Sequence, residues 1–268
     1  MRRRMRDRAE SSYRTLRLRG STYFRSRRAF DDLTIFVKRF PARGVNGLTF
    51  VLVHGVAVSS RYFAPTAAEL AKFGTVFLVD LPGHGDAPDP KRDVTIADHA
   101  SVLAKFIAGA GLHNPVIVGH SAGAQVVSRL AVDSPEVADH IVLMAPTIPA
   151  DARTVGASLW RLFLDGFREP TNVTFMAAGD YLIRCGVPFG WKQLRHVLDD
   201  RIEDRLPQIR ANTLVLNGDR DSIVPVAWAA RVAEGVPGGI LEVVRGPHVI
   251  MHTDPVTVAR HIAEHAKR

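Results

Sequence analysis

The 268-residue sequence lacks most of the features that hold small or membrane-anchored proteins in place. It has a single cysteine, Cys185, which excludes an internal disulfide and a cysteine-rich zinc site. No apolar run approaches the roughly 20 residues of a membrane-spanning helix. No apolar segment follows the N-terminal arginines, as an export signal would require. We therefore expect a protein that does not span a membrane and resides in a reducing, cytoplasmic compartment.

Acidic residues are scarce in one part of the chain. Residues 1–30 hold eleven arginines against Asp7 and Glu10, a net charge of +9, so the other 238 residues carry −1 of the total of +8. A basic arm of this kind can bind nucleic acid or another anionic surface. The arm does not interleave aromatic residues at the spacing of a nucleic-acid motif. We favour a solvated extension, followed by a first strand, over such a contact.

Beyond this arm, short apolar runs alternate with segments of helical spacing. Hydrophobic residues make up 46% of the chain and charged residues 23%, which is typical of one globular domain, with or without an insertion. The apolar runs are Leu48–Val53, Val76–Val79, Val116–Val118, Ile141–Met144, Leu214–Leu216 and Leu241–Val244, preceded by β-rich segments at 15–24 and 33–40. The predicted fold class is α/β, a mostly parallel central β-sheet with helices on both faces.

The segment 147–206 interrupts this alternation, because it has no strand-like run and its spacing is helical. It divides the predicted core, residues 31–146 and 207–268, and carries seven of the chain's 20 aromatic residues. Its position after a sheet strand predicts an inserted helical cap, or lid, over a pocket. The alternative is a helical extension that packs its aromatic residues in a small core of its own. If it is a lid, Trp160, Phe163 and Trp191 are candidate substrate contacts.

The chemistry is expected where the apolar runs end, since ligands bind at the carboxyl ends of parallel strands. After Val116–Val118 the chain reads Gly-His-Ser-Ala-Gly, centred on Ser121, and a helix is predicted from Ala122. A glycine-flanked serine in a sharp strand-to-helix turn presents its hydroxyl clear of the sheet. We therefore predict Ser121 as a nucleophile.

A serine hydroxyl needs a base, and the base needs an acid that orients it. In chains with this turn, the acid and then the histidine follow the serine. Asp221 follows the Leu214–Leu216 run and His248 follows Leu241–Val244, so both are expected at the same edge of the sheet as Ser121. They are the predicted acid and base.

The tetrahedral intermediate of acyl transfer needs two N–H donors for its oxyanion. Ala122 follows the nucleophile at a helix N-terminus, where the helix dipole also favours negative charge. Val56 lies in the loop after His54-Gly55. We predict the backbone N–H groups of Val56 and Ala122 as the oxyanion hole.

Five motifs together resemble those of the α/β-hydrolase fold superfamily, in the form that carries an inserted helical cap. They are VLVHG at 51–55, VDLPGHG at 79–85, GHSAG at 119–123, NGDRDSIVP at 217–225 and GPHVIMHTDP at 246–255. The resemblance implies the same nucleophile, base and oxyanion donors. It also selects Asp221 over Asp219 as the acid, because the family's acid follows the motif's glycine by three residues.

The resemblance also narrows the reaction. Relatives that open epoxides or displace halides use an aspartate at this turn, so a serine implies acyl transfer. The prediction is a serine hydrolase that cleaves small, mostly apolar carboxylic esters, thioesters or lactones through an acyl-enzyme. It needs no organic cofactor. No metal is expected either, because His248 and His252 have helical spacing without the acidic residue of a zinc motif.

Other activities on the same triad stay open. They are C–C bond hydrolysis, perhydrolysis and acyl transfer to an alcohol, although no tryptophan follows His248 as it commonly does in C–C hydrolases. An alternative of another class is a member of the fold that binds a small molecule and does not turn it over.

Overall fold

The computed structural model describes residues 16–18, 21–44, 47–149, 152–154, 156, 179–180 and 185–268. The strands in these ranges are β1 (Leu16–Leu18), β2 (Ser21–Phe30), β3 (Leu33–Phe40), β4 (Leu48–Val53), β5 (Gly74–Asp80), β6 (Val116–His120), β7 (His140–Met144), β8 (Asn212–Gly218) and β9 (Ile240–Val244). The helices are α1 (Ala64–Leu70), α2 (Ile96–Gly109), α3 (Ala122–Asp133), α4 (Val187–Asp199), α5 (Val226–Gly235), α6 (Ile250–Thr253) and α7 (Pro255–His265). Short 3-10 helices cover Ser60–Phe63, Pro135–Val137, Ile202–Asp204 and Leu206–Gln208.

The described strands form one sheet in the order β1-β2-β3-β5-β4-β6-β7-β8-β9. The strands from β4 to β9 run parallel to their neighbours, whereas β1, β2 and β3 are joined antiparallel and β3 pairs antiparallel with β5. The predicted mostly parallel sheet is therefore confirmed. The predicted apolar runs lie within β4 to β9, because strands covered on both faces need apolar side chains on both sides.

Helices cover both faces of the sheet, as predicted. On one face α2, α3 and α5 bury Leu103, Leu130 and Val232. On the other face α1 and α7 bury Leu70 and Ile262. Burying a side chain of this size stabilises the fold by about 1.5–3 kcal/mol relative to exposure.

The start of α2 follows directly from its sequence. The Thr95 hydroxyl accepts a hydrogen bond from the Asp98 N–H, and the Asp98 carboxylate accepts one from the Thr95 N–H. This reciprocal cap satisfies two backbone donors that the first turn leaves without helical partners. Thr95 is thus the cap residue of α2.

The N-terminal boundary differs from the expectation. The single segment predicted at 15–24 is two strands, β1 and the ten-residue β2, and β2 extends to Phe30. Arg25, Arg27 and Arg28, assigned to the basic arm, therefore lie in a strand that pairs with β3. Charged residues are compatible with this position, because β2 lies near the edge of the sheet and is only partly covered. Residues 1–15 lie outside the described residues.

Only part of the predicted cap is described. Trp160 and Phe163 lie outside the described residues, whereas Trp191 lies on α4 with 42% of its surface exposed. The described residues of 147–206 form helices and loops, without a strand. Across the described parts of the chain, no helix combines the length and apolarity needed to cross a membrane.

The register of the sheet brings the carboxyl ends of five strands together. Val53 of β4 pairs with Gly119 of β6, and His120 of β6 pairs with Met144 of β7. Further along, Gly218 of β8 pairs with Val244 of β9. The loops that follow these strands therefore emerge along one edge, where the predicted site residues lie.

Candidate active site

Ser121 occupies the turn between β6 and α3 in a backbone conformation that L-residues rarely adopt. Its φ is 57° and its ψ is −122°. The two flanking glycines have no room for a side chain. A methyl group at Gly119 would lie 2.3 Å from the Gly123 carbonyl oxygen, and one at Gly123 would lie 2.5 Å from that of Val53. The tight packing of this turn compensates for the cost of the strained serine.

Asp221 and His248 are in direct contact. The Nδ1 atom of His248 lies 2.8 Å from Oδ2 of Asp221, and both side chains are buried. The other carboxylate oxygen accepts hydrogen bonds from the N–H groups of Ile223 and Val224, each at 2.8 Å. A carboxylate can only accept, so the proton between the two side chains lies on Nδ1. In the neutral ring this leaves Nε2 of His248 as a proton acceptor.

Asp219 has a different role. Its Oδ1 accepts a hydrogen bond from the Gly246 N–H at 2.8 Å, and 46% of its side chain is exposed. It therefore ties the loop after β8 to the loop after β9. Of these two aspartates, the described contact with His248 is made by Asp221.

The predicted oxyanion donors belong to two segments that adjoin the serine. A methyl group at Gly55 would lie 3.5 Å from Oγ of Ser121, so the loop that continues into Val56 packs against the hydroxyl. Ala122 is the first residue of α3, where backbone N–H groups have no helical partner. Within the described part of the chain, no acceptor is found for the N–H of Val56 or Ala122.

Three buried histidines lie next to the Gly55–Val56 loop. The rings of His54 and His84 are 4.9 Å apart, and those of His84 and His99 are 5.8 Å apart. His54 accepts a hydrogen bond from the Leu81 N–H through Nε2, and its Nδ1 lies 2.7 Å from the Gly55 carbonyl oxygen. Burial lowers their pKa values, to about 4 for His54 and about 3 for His84 and His99. All three are therefore neutral at pH 7.

This cluster predicts loss of stability in mild acid. The unfolded histidines titrate near 6.5, whereas the folded ones titrate near 3 to 4. Below pH 6.5 the unfolded histidines bind protons, whereas the folded ones stay neutral. The stability that the neutral histidines confer is therefore present above this pH and is lost as the pH falls. We expect these three histidines to lower the free energy of unfolding by about 4 kcal/mol from about pH 7.5 to about pH 5.5, measured by urea denaturation. The buried His120, whose pKa is also lowered, adds to this fall in the same direction.

His84→Asn provides the matched variant for this prediction. The Nδ1 atom of His84 lies 3.0 Å from the Pro82 carbonyl oxygen, and the asparagine amide can donate in its place without titrating. The loss between the two pH values should shrink by about 1.4 kcal/mol, the share of one histidine. Stability that stays constant across this range in the wild-type protein would contradict the account.

A buried ion pair that the motifs did not reveal supports the adjoining loop. Lys38 of β3 contacts Asp80 at the end of β5 at 2.6 Å, with both side chains buried. Asp80 also accepts hydrogen bonds from the N–H groups of Ser60 and Asp86. Burial alone would raise the pKa of Asp80, but the Lys38 ammonium and these donors hold it at about 2. A lysine directly after the apolar residues Ile35–Val37 of β3 is the signal that could have indicated this pair.

The described residues offer neither a metal site nor a reactive thiol. Among the described residues, no group of three or more His, Cys, Asp or Glu side chains could hold a metal ion. Burial raises the pKa of the Cys185 thiol to about 12, so this cysteine is a thiol and a poor nucleophile at neutral pH.

Comparisons with known proteins agree with the fold. The dihydrolipoyllysine-residue acetyltransferase component of the acetoin cleaving system of Cupriavidus necator is 31% identical over 226 residues, covering 77% of this chain and 60% of that protein. The pimeloyl-(acyl-carrier protein) methyl ester esterase of Chromobacterium violaceum is 26% identical over 252 residues, covering 82% and 94%. The structure of the esterase of Exiguobacterium antarcticum matches with a TM-score of 0.77 at 18% identity, covering 90% and 98%.

The family itself follows from a match over most of the chain. The sequence profile described as the alpha/beta hydrolase family matches residues 50–261. This range runs from β4 to α7 and contains the serine turn as well as the Asp221–His248 pair. The chain belongs to the alpha/beta hydrolase family.

Proposed function

We propose that the protein is a serine hydrolase that cleaves small, mostly apolar carboxylic esters, thioesters or lactones through an acyl-enzyme on Ser121. The observation that carries this proposal is the 2.8 Å contact between Asp221 and His248, at the sheet edge where Ser121 forms its strained turn. A buried carboxylate that orients a neutral imidazole beside an activated serine is the arrangement that acyl transfer requires.

The reaction proceeds in two halves. Ser121 Oγ attacks the substrate carbonyl carbon while Nε2 of His248 takes the hydroxyl proton, and Asp221 stabilises the imidazolium. The N–H groups of Val56 and Ala122 donate to the oxyanion of the tetrahedral intermediate. Its collapse breaks the bond to the alcohol or thiol, which leaves with the proton from His248. Water then attacks the acyl-enzyme by the same steps, which releases the acid and restores Ser121.

The residues around the site favour a small, apolar substrate. The cavity that borders Val56 and Ala122 includes the apolar side chains of Ile96, Val126 and Val197 in its lining. Phe189 of α4 packs its ring 5.5 Å from that of His84. We propose that residues 147–206 form a cap over the site and that Trp160, Phe163 and Trp191 of this segment contact the substrate. The methyl ester esterase of Chromobacterium violaceum supports esters as the substrate class.

The experiment is a substrate panel with acyl chains of increasing length. We expect p-nitrophenyl acetate and butyrate to be hydrolysed with a kcat/KM at least about tenfold above that of the dodecanoate, because a small pocket discriminates by about 1–3 kcal/mol for misfitting methylenes. A thioester and a lactone of the same acyl size test the leaving group. Products are identified by mass spectrometry, so that transfer to an added alcohol or to peroxide is distinguished from hydrolysis. A folded protein that turns over no substrate of this panel would contradict the proposal.

A further inference from the structure

A chain of hydrogen bonds connects the loop that carries Val56 with the loop that carries the histidine base. The Gly55 N–H donates to the Tyr62 hydroxyl oxygen at 2.7 Å. That oxygen lies 2.9 Å from Nδ1 of His120, and Nε2 of His120 lies 3.1 Å from the carbonyl oxygen of His248. Two backbone groups, one in the loop after β4 and one in the loop after β9, are thus linked through the side chains of Tyr62 and His120.

Only one arrangement of protons satisfies every member of this chain. The backbone carbonyl of His248 can only accept, so Nε2 of His120 carries a proton. Burial lowers the pKa of His120 well below its usual value, so the ring is neutral and its Nδ1 accepts. Burial likewise raises the pKa of the Tyr62 hydroxyl. Tyr62 therefore donates to His120 while it accepts from Gly55, and the direction of all three bonds is determined.

The packing around these side chains leaves them little freedom. Tyr62 is 4% exposed and His120 is 3% exposed. The ring of His120 lies 5.4 Å from that of Tyr62 and 4.6 Å from that of His248. A buried network in which every polar atom is paired is rigid, because any displacement leaves a buried donor or acceptor without its partner.

We propose that Tyr62 and His120 are positioning residues. They hold the Gly55–Val56 oxyanion loop and the His248 loop in fixed positions relative to each other and to Ser121. The inference rests on the proposed function, because it assigns these residues a role in that reaction. Neither side chain reacts. They act through the N–H of Val56 and the imidazole of His248, which both move with the backbone groups that the network holds.

This role predicts an effect on turnover and little effect on substrate affinity. The oxyanion forms only in the transition state, so a displaced donor lowers kcat while ground-state binding persists. Misplacement by a fraction of an ångström at a reacting centre has large consequences, since an error of about 1 Å can cost about 100-fold in rate.

The first test is Tyr62→Phe, which removes one hydroxyl and keeps the ring. With p-nitrophenyl butyrate, we expect kcat to fall about tenfold and KM to stay within about twofold. Tyr23→Phe is the matched control, because Tyr23 stacks on Phe40 at 5.3 Å on the N-terminal side of the sheet; its kcat should be unchanged. An unchanged kcat in Tyr62→Phe, or a rise in KM alone, would overturn the inference.

The second test is the pair His120→Gln and His120→Met, which stays decisive if Tyr62→Phe fails to fold. The glutamine amide can donate to the His248 carbonyl as Nε2 does, whereas methionine has similar length and no donor. We expect His120→Gln to retain a kcat at least about fivefold above that of His120→Met, with KM similar in the two variants. Equal kcat values in the two folded variants, checked by circular dichroism, would overturn the inference.

Wild-type activity separates this inference from the proposed function. An inactive wild-type enzyme overturns the proposed function and the inference with it. An active wild-type enzyme whose kcat is insensitive to Tyr62→Phe, and to the choice between glutamine and methionine at position 120, overturns the inference alone.

Discussion

Replacing Ser121 with alanine is expected to lower kcat for p-nitrophenyl butyrate by about 10⁶-fold, the loss measured when a triad serine is removed. Oγ of Ser121 is the atom that forms the acyl bond, and alanine has no atom that can replace it. The fold should persist, because alanine can occupy the same turn without a new contact. Initial rates of the wild-type and variant enzymes, each corrected for spontaneous hydrolysis, measure the loss.

Ser101→Ala is the matched control for this prediction. Ser101 is an exposed residue on α2, so the same loss of one hydroxyl should leave kcat unchanged. A Ser121→Ala enzyme that retains more than about one tenth of the wild-type rate would contradict the assignment of the nucleophile.

Replacing Asp221 with asparagine is expected to lower kcat by about 10⁴-fold. The carboxylate accepts a hydrogen bond from Nδ1–H of His248 at 2.8 Å and thereby keeps Nε2 free as the base. An asparagine can present its N–H₂ group to the ring and stabilise the opposite tautomer, in which Nε2 carries the proton and cannot take one from Ser121. Steady-state kinetics at a fixed pH near 8, where free imidazole is neutral, measure the effect.

Asp219→Asn is the matched control, because the same change is made two residues earlier. Asp219 braces the Gly246 N–H and has 46% of its side chain exposed, so we expect a loss of less than about tenfold. A larger loss in Asp219→Asn than in Asp221→Asn would reverse the assignment of the acid.

Much of the fold could be predicted because it depends on local pattern. A run such as Leu48–Val53 is apolar at every position except Thr49. Such a strand is stable only when both faces of the sheet are covered. The positions of Ser121, Asp221 and His248 follow from this, since each comes directly after a parallel strand. The Thr95 cap was equally predictable, because its partner Asp98 is three residues away.

Contacts between distant residues were not predictable in this way. Tyr62 and His120 are 58 residues apart, and their pairing follows from the packing of the Ser60–Phe63 turn against β6. Tyr62 in the sequence is one more aromatic residue at the start of an apolar helix. Lys38 and Asp80 are 42 residues apart, and they meet because β3 pairs with β5.

Two parts of the chain resisted prediction for different reasons. The arginines of β2 lie near a sheet edge, where strand pairing with β3 overrides the charge that suggested a solvated arm. In 147–206 the aromatic residues have helical spacing, but spacing alone does not say which face meets the core. Trp191 is largely exposed, whereas Phe189 on the same helix packs against His84.

The most direct test of the central claim is the intact mass of the protein after incubation with a small fluorophosphonate. An activated serine attacks phosphorus and expels fluoride, so the account predicts one covalent adduct on the wild-type protein and on Ser101→Ala. No adduct should form on Ser121→Ala. A folded wild-type protein that acquires no adduct, or a Ser121→Ala variant that acquires the same one, would contradict the claim that Ser121 is the nucleophile.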